Sequence, residues 1–258
     1  EFSIASDIIK SDNLTWNVAF NTTYIDQNIS ELGITVPGFQ GYLTGDNIAG
    51  GNGNKILINS VGYAPNSFFV YEQLYDANKR PIAGAYVDRN GDGKIDASDR
   101  YRYKKPTADY TFGLFSSLNY KKFDFTMNWR ASLGNYIFDN VNSNMGYSDA
   151  ALRRDNDLSN LSADYLNTGF KFEDNGTQRY LSNYYIKDAS FIKLDNVTLG
   201  YTLDKSVLKD VSLRFSAGVQ NVFVLTKYDG LDPEKFNGID GNVYPRARTF
   251  LFGVNASF

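Results

Sequence analysis

The sequence predicts an all-β chain of the transmembrane antiparallel β-barrel kind. Three observations carry this reading. Segments of about ten residues alternate apolar and polar side chains, the length and period of a tilted strand crossing a bilayer. The connections between them are by turns short and long, as when tight turns lie on one side of a membrane and loops on the other. Aromatic residues make up 16% of the 258 residues, with 19 Tyr and 19 Phe, yet no apolar run is long enough for a membrane helix.

The alternation is explicit in five segments. Leu14, Trp16, Val18, Phe20, Thr22 and Tyr24 share one face, opposite Thr15, Asn17, Ala19, Asn21 and Thr23. Tyr110, Phe112, Leu114, Leu118 and Tyr120 oppose Thr111, Gly113, Ser117 and Asn119. Phe123, Phe125, Met127, Trp129, Ala131 and Leu133 oppose Asp124, Thr126, Asn128, Arg130 and Ser132. Val211, Leu213, Phe215, Ala217 and Val219 oppose Ser212, Arg214, Ser216 and Gln220. Phe250, Phe252, Val254, Ala256 and Phe258 oppose Leu251, Gly253, Asn255 and Ser257. Charges in mid-strand, at Arg130 and Arg214, suit a wet lumen and not a dry sandwich core.

A sixth segment breaks phase. Ile192 and Leu194 fall on even positions, while Val197, Leu199 and Tyr201 fall on odd ones. A β-bulge near Asp195-Asn196 reconciles them, because one extra residue switches faces. Alternatively, Ile192 and Leu194 stand above the membrane band, where either face can be apolar. Weaker strands over 1–8, 55–62 and 67–75 bring the expected count to about nine. The tight turns are Lys121-Lys122, residues 9–13 and 204–209; the long polar segments are 26–55, 76–109, 135–189 and 226–246. The C-terminus then falls on the short-turn side. An odd count cannot close antiparallel on itself, so the barrel is expected to continue upstream of Glu1, and a start without Met reads as a mature or internal piece. A soluble β-sandwich also alternates, but it predicts loops of similar length at both ends.

Composition excludes several classes. The formal net charge of -3 offers no basic field for nucleic acid. With neither His nor Cys, acyl-transfer chemistry loses its usual base and nucleophile, and no disulfide or Cys metal site exists. An enzyme is therefore not expected.

One motif carries chemistry. Asp88-Arg-Asn90-Gly-Asp92-Gly93-Lys94-Ile-Asp96-Ala-Ser-Asp99 follows the twelve-position Ca²⁺ loop. Asp88, Asn90 and Asp92 occupy positions 1, 3 and 5, Lys94 would offer its carbonyl at 7, Asp96 binds through water at 9, and Asp99 stands at 12. Two features depart from the pattern: Asp99 is shorter than the usual Glu, and Ala85-Tyr86-Val87 and Tyr101-Arg102-Tyr103 read as strands, not helices. The expectation is a static Ca²⁺ brace; the competing reading is a metal-free Asp/Asn/Gly turn.

The chain resembles the C-terminal part of SusC/RagA-type TonB-dependent outer-membrane transporters. The carrying segments are the run from Tyr86 to Asp96, Tyr110-Thr-Phe-Gly-Leu114 with Tyr120-Lys-Lys-Phe-Asp124, the run from Asp188 to Tyr201, Gln220-Asn221, Tyr228-Asp-Gly-Leu-Asp-Pro-Glu234, and Tyr244-Pro-Arg246 leading to Arg248-Thr-Phe250. The resemblance covers essentially all of residues 1–258. It implies about nine strands of a roughly 22-stranded barrel, with the plug domain and earlier strands elsewhere. It also implies active import of an oligosaccharide or peptide through the outer membrane of a Gram-negative bacterium, with extracellular loops and a periplasmic C-terminus. The implied partners are outer-membrane lipid, a SusD-like surface lipoprotein as lid, TonB–ExbB–ExbD acting through the plug, and a second such pair in a dimer. The barrel-assembly signal maps onto Phe258. A passive porin or structural barrel is the alternative. The loops after Asn135 and Thr226 are the expected contacts for substrate and lid, where Tyr147, Tyr165, Phe170 and Tyr228 either stack on sugar rings or pack the loops together.

Overall fold

The computed structural model describes every residue except 35, 50, 52, 149–159, 172–175, 204–210 and 242–243, together with the side chains of 176 and 177. Seven strands form one antiparallel sheet in chain order. They are β1 (Phe2–Lys10), β2 (Leu14–Tyr24), β3 (Tyr110–Tyr120), β4 (Phe123–Leu133), β5 (Phe191–Leu203), β6 (Ser212–Thr226) and β7 (Thr249–Ser257).

The register makes two faces. Trp16 pairs with Leu118, Phe20 with Leu114, Phe125 with Leu118 and Leu199, and Phe252 with Ala217. These positions form one apolar face across the sheet. The opposite face carries Asn17 beside Ser117, Thr126 beside Thr198, and Asn255 beside Arg214. Cross-strand aromatic pairs reinforce the apolar face, with Phe123 and Tyr201 centred 4.7 Å apart and Tyr24 and Tyr110 5.0 Å apart. Trp16 satisfies its indole N–H there by donating to Ser116 Oγ at 2.9 Å. On the polar face, Asp124 and Arg214 reach across β5 to bond at 2.5 and 3.0 Å. Gly200 lies between them because a Cβ there would stand 2.3 Å from Asp124 Oδ1.

The phase break in β5 is a bulge. Asn196 pairs with Asn128 and Leu194 with Trp129, so Asp195 is one residue too many for β4. On the other side, Leu194 pairs with Phe223 and Asn196 with Gln220, and Asn221 takes a φ of 53° to absorb the misfit. Ile192 and Leu194 thereby share the apolar face with Val197, Leu199 and Tyr201.

The strand count is corrected. Of the nine expected strands, seven join the large sheet. The segments at 55–62 and 67–75 yield Leu57–Asn59 and Ser67–Val70, which pair with each other and with Tyr42–Thr44 and Tyr101–Arg102 in a separate four-stranded sheet. Adjacent residues, which point to opposite faces, are buried alike in both strands: Leu57 and Ile58 are 2% and 1% exposed, and Phe68 and Phe69 0% and 5%. A three-stranded sheet joins Tyr136–Asp139, Ile186–Asp188 and Ile239–Asp240. The expected long segments 26–55 and 76–109 are therefore one connection, from Tyr24 to Tyr110, and segments of the three long connections share one core, around Ile56, Phe68, Phe138, Tyr185 and Ile239. The tight turns at residues 11–13 and 121–122 hold each other, Lys121 N–H donating to the Asn13 carbonyl at 2.9 Å. The expected turn at 204–209 lies outside the described residues. The antiparallel order puts the long connections at one end of the sheet and the C-terminus at the other.

Candidate functional site: the polar face and its loop assembly

The 88–99 segment is a wound turn built by its own side chains. Asp88 accepts the amide N–H groups of Gly91 at 2.7 Å and Gly93 at 2.8 Å. Asn90 accepts Asp92 N–H, Asp92 accepts Lys94 N–H, and Asp96 accepts Ser98 N–H. Gly91 and Gly93 supply φ values of 74° and 79°. Asp99, fully buried, closes the loop by accepting Arg89 N–H at 2.9 Å and Asp96 N–H at 2.8 Å. These bonds, Asp96 N–H first, hold its carboxyl below the ordinary range against the opposing effect of burial. The flanks are strand, as the sequence predicts: Pro81–Tyr86 before and Tyr101–Arg102 after. The donors are the hard oxygens that a Ca²⁺ ion takes. Among the described residues, no three Asp, Glu, His or Cys side chains converge on one point suited to a metal ion. An ion would have to draw these oxygens inward.

The four loop aromatics are packed to different degrees. Tyr147 and Phe170 lie in the large loop core, with 8% and 2% of their surface exposed. The Tyr147 ring is covered by the Arg179 guanidinium, 4.0 Å from its centroid. Tyr228 is buried with Ile137 and Ala189, and its hydroxyl donates to Asp240 at 2.5 Å. These three rings are packed within the loops. Tyr165 is half-buried on the short helix Tyr165–Thr168. Phe258 stands at the end of the sheet, 89% exposed.

The polar face carries a feature that spacing did not single out. A cleft of about 720 Å³ opens on it, lined by Asn21, Phe115, Asn128, Asn135 and Asn196 and overhung by the segment from Pro233 to Phe236. Glu234 ties that segment to the sheet. It accepts from Arg130 of β4 at 2.7 Å, from Lys193 of β5 at 3.3 Å and from Arg246 at 2.9 Å. Arg130 also grips the bulge residue Asp195, with Nη2 at 2.9 Å from Oδ1, and Arg246 reaches Asp232 at 2.8 Å. Burial opposes the charge on Glu234, but Arg130, with Arg246 and Lys193, outweighs it and holds the carboxyl below its ordinary range. Three cations meet three anions, so the cluster is neutral. The sequence reads Asp232-Pro233-Glu234 as a turn, and the Glu234 N–H does bond Asp232 Oδ1 at 2.9 Å. Its reach to Arg130, 104 positions away, has no local signal.

No protein-family model matches the chain. The TonB-dependent receptor SusC of Bacteroides thetaiotaomicron is 43% identical over 263 aligned positions, covering all of this chain and 26% of the receptor. A TonB-dependent receptor of Formosa agariphila is 28% identical, again over all of this chain and 28% of its own length. The RagAB peptide importer in its open-open state superposes over 99% of this chain and 28% of the importer chain, with a TM-score of 0.72 at 21% identity. Its closed-closed state gives a TM-score of 0.71. The relatives are receptors and transporters, not enzymes. The chain therefore spans about a quarter of the receptors it matches, and it belongs to the SusC/RagA-type TonB-dependent receptors as a C-terminal part of one.

Proposed function

We propose that this chain forms part of the wall of an outer-membrane transporter that imports a nutrient, an oligosaccharide or a peptide. The observation that carries the reading is the likeness to SusC along the whole chain. A sheet apolar on one face and polar on the other supports it, because such a sheet separates lipid from a wet lumen. The long connections face the outside of a Gram-negative cell and the C-terminus faces the periplasm. A SusD-like lipoprotein lids the loops, the pair assembles with a second pair, and TonB–ExbB–ExbD supplies the energy through the plug. Cells lacking the transporter should lose uptake of one labelled pool, short glucans or short peptides, and cells lacking TonB should lose the same pool. Uptake that survives the loss of TonB would point to a passive porin and overturn active import.

The 88–99 loop is proposed as a Ca²⁺ brace. Asp88, Asn90, Asp92, the Lys94 carbonyl, Asp96 and Asp99 would hold the ion, which would supply charge compensation only. Calorimetric titration of the purified transporter with Ca²⁺ should release heat, and a combined Asp88→Ala, Asp92→Ala variant should release none. A wild-type titration without heat would leave the loop a metal-free turn.

A further inference from the structure

Phe236 is 97% exposed, although it overhangs the cleft of the polar face. The core rings of this assembly are covered, Phe68, Phe138, Phe170 and Tyr185 being each at most 2% exposed, and its surface rings Tyr42, Tyr63 and Tyr75 keep 46%, 46% and 47%. Tyr244, 94% exposed, lies outside the cleft. A bare ring beside amide-bearing walls is an unsatisfied contact surface.

The backbone around Phe236 is anchored on both sides. Two residues before it, Glu234 is held by Arg130, Lys193 and Arg246. Two residues after it, Gly238 lies against Pro106 so closely that a Cβ would meet the Pro106 ring at 2.4 Å. The Gly238 carbonyl also accepts Phe138 N–H at 2.8 Å. The ring thus projects from a fixed span and not from a free loop tip. Its surroundings state what it would meet. Arg130, Lys193, Asp195 and Glu234 are mutually paired, and the Asn128 amide donates to Asn196 at 2.9 Å, so what remains is the Asn21 amide, the outer edges of the Asn128–Asn196 pair, the Lys235 ammonium and the Phe236 face. Amides recognise hydroxyl or peptide edges, and an aromatic face recognises a flat C–H surface.

We infer that Glu234 is a positioning residue that holds Phe236 over the cleft as a recognition ring for a solute with a flat C–H face and hydrogen-bonding edges. The inference rests on the import reading above. A sugar ring and a short peptide both present that chemistry, and uptake tells them apart.

The test uses the full transporter in cells, with labelled short glucans and labelled short peptides as probes. If deletion of the transporter spares both pools, import itself fails. If one pool is lost, Phe236→Ala should raise the half-saturating concentration for that pool about ten-fold, a change worth one weak contact, with the maximal rate kept. Phe236→Trp should restore it. Glu234→Gln should raise it in the same direction. A spin label at Phe236→Cys, in a transporter without other reactive cysteines, should pass from restricted to mobile when Glu234→Gln is added. An unchanged half-saturation in Phe236→Ala overturns the recognition role while import stands. A label equally restricted with and without Glu234 overturns the positioning role.

Discussion

At the scale of single residues, the loop core is governed by a few buried polar groups. Asp139 and Asp240 face each other in the parallel pairing of Tyr136–Asp139 with Ile239–Asp240, and each is 1% exposed. Asp240 receives one bond, from Tyr228, and its Oδ1 has no partner. Tyr228→Phe removes that donor and leaves a buried carboxylate bare. The expected cost is about 1–3 kcal/mol, read as a lowered melting temperature of the loop assembly; an unchanged melting temperature would show the bond to be dispensable. Asp139 caps the helix Asn140–Met145 by accepting Asn142 N–H at 2.9 Å. Burial nonetheless pushes its pKa from 3.8 up to about 6, against the Asn142 bonds and the Lys187 charge and with a push from Asp229. A carboxyl raised in the folded state adds stability at low pH and loses it as pH climbs through the folded value. Protection of the 136–140 and 239–240 amides from hydrogen exchange should therefore be strongest below about pH 4 and fall through about pH 6, an effect of about 3 kcal/mol at 1.4 kcal/mol per pH unit. Glu234 acts in the opposite sense. Its depressed pKa gives stability that is present above 4.5 and lost in more acid solution, so clamp and core separate on a pH axis.

At the scale of elements, the sequence was most legible where one face meets lipid and the other meets water. Leu14–Tyr24 and Phe123–Leu133 alternate throughout, Tyr110–Tyr120 alternates except at Phe115-Ser116, and all three form strands with those bounds. Ile56-Leu57-Ile58 and Phe68-Phe69-Val70-Tyr71 do not alternate. A continuous apolar run marks a strand covered on both faces, and that signal separates the loop sheet from the membrane sheet. The bulge was half legible, since the phase shift was visible but its purpose was not. Asp195 is the inserted residue, and it meets Arg130 on the polar face, so one irregularity both keeps Ile192 and Leu194 outward and supplies an anchor for the Glu234 cluster. That cluster joins residues from β4, β5 and the last long connection, and no local spacing encodes it. Deleting Asp195 should straighten the ladder against β4 at the same phase, because Leu194 would then stand two positions from Val197 and still pair with Trp129. Ile192 and Leu194 would stay outward, and the loss would fall on Arg130, which would keep Glu234 but not Asp195. The deletion and Asp195→Asn should therefore both retain the heat-resistant band of the folded barrel on gels. Loss of that band in the deletion alone would refute the register argument.

At the scale of the whole molecule, the decisive property is an open sheet with two bare edges. β1 and β7 both run from the long-connection end to the short-turn end, so pairing them directly would be parallel. An antiparallel barrel cannot close on these seven strands alone. Every residue of β1 is exposed, and in β7 Phe250, Phe252 and Val254 are 63%, 85% and 64% exposed. A flat, apolar edge without a partner is a template for pairing with other chains, and in lipid each unpaired backbone group costs several kcal/mol. The loop assembly does not relieve this, because its sheets are separate from the large sheet and cap neither edge. Stability of the seven strands must therefore come largely from strands outside this sequence. Refolded alone in detergent, residues 1–258 should form oligomers or aggregates and give no heat-resistant monomer. Co-refolding with the remaining barrel segment of a SusC-like receptor should yield one. A compact, heat-resistant monomer from this chain alone would mean that β1 and β7 find another way to satisfy their edges, and the wall-of-a-larger-barrel reading would fall with it.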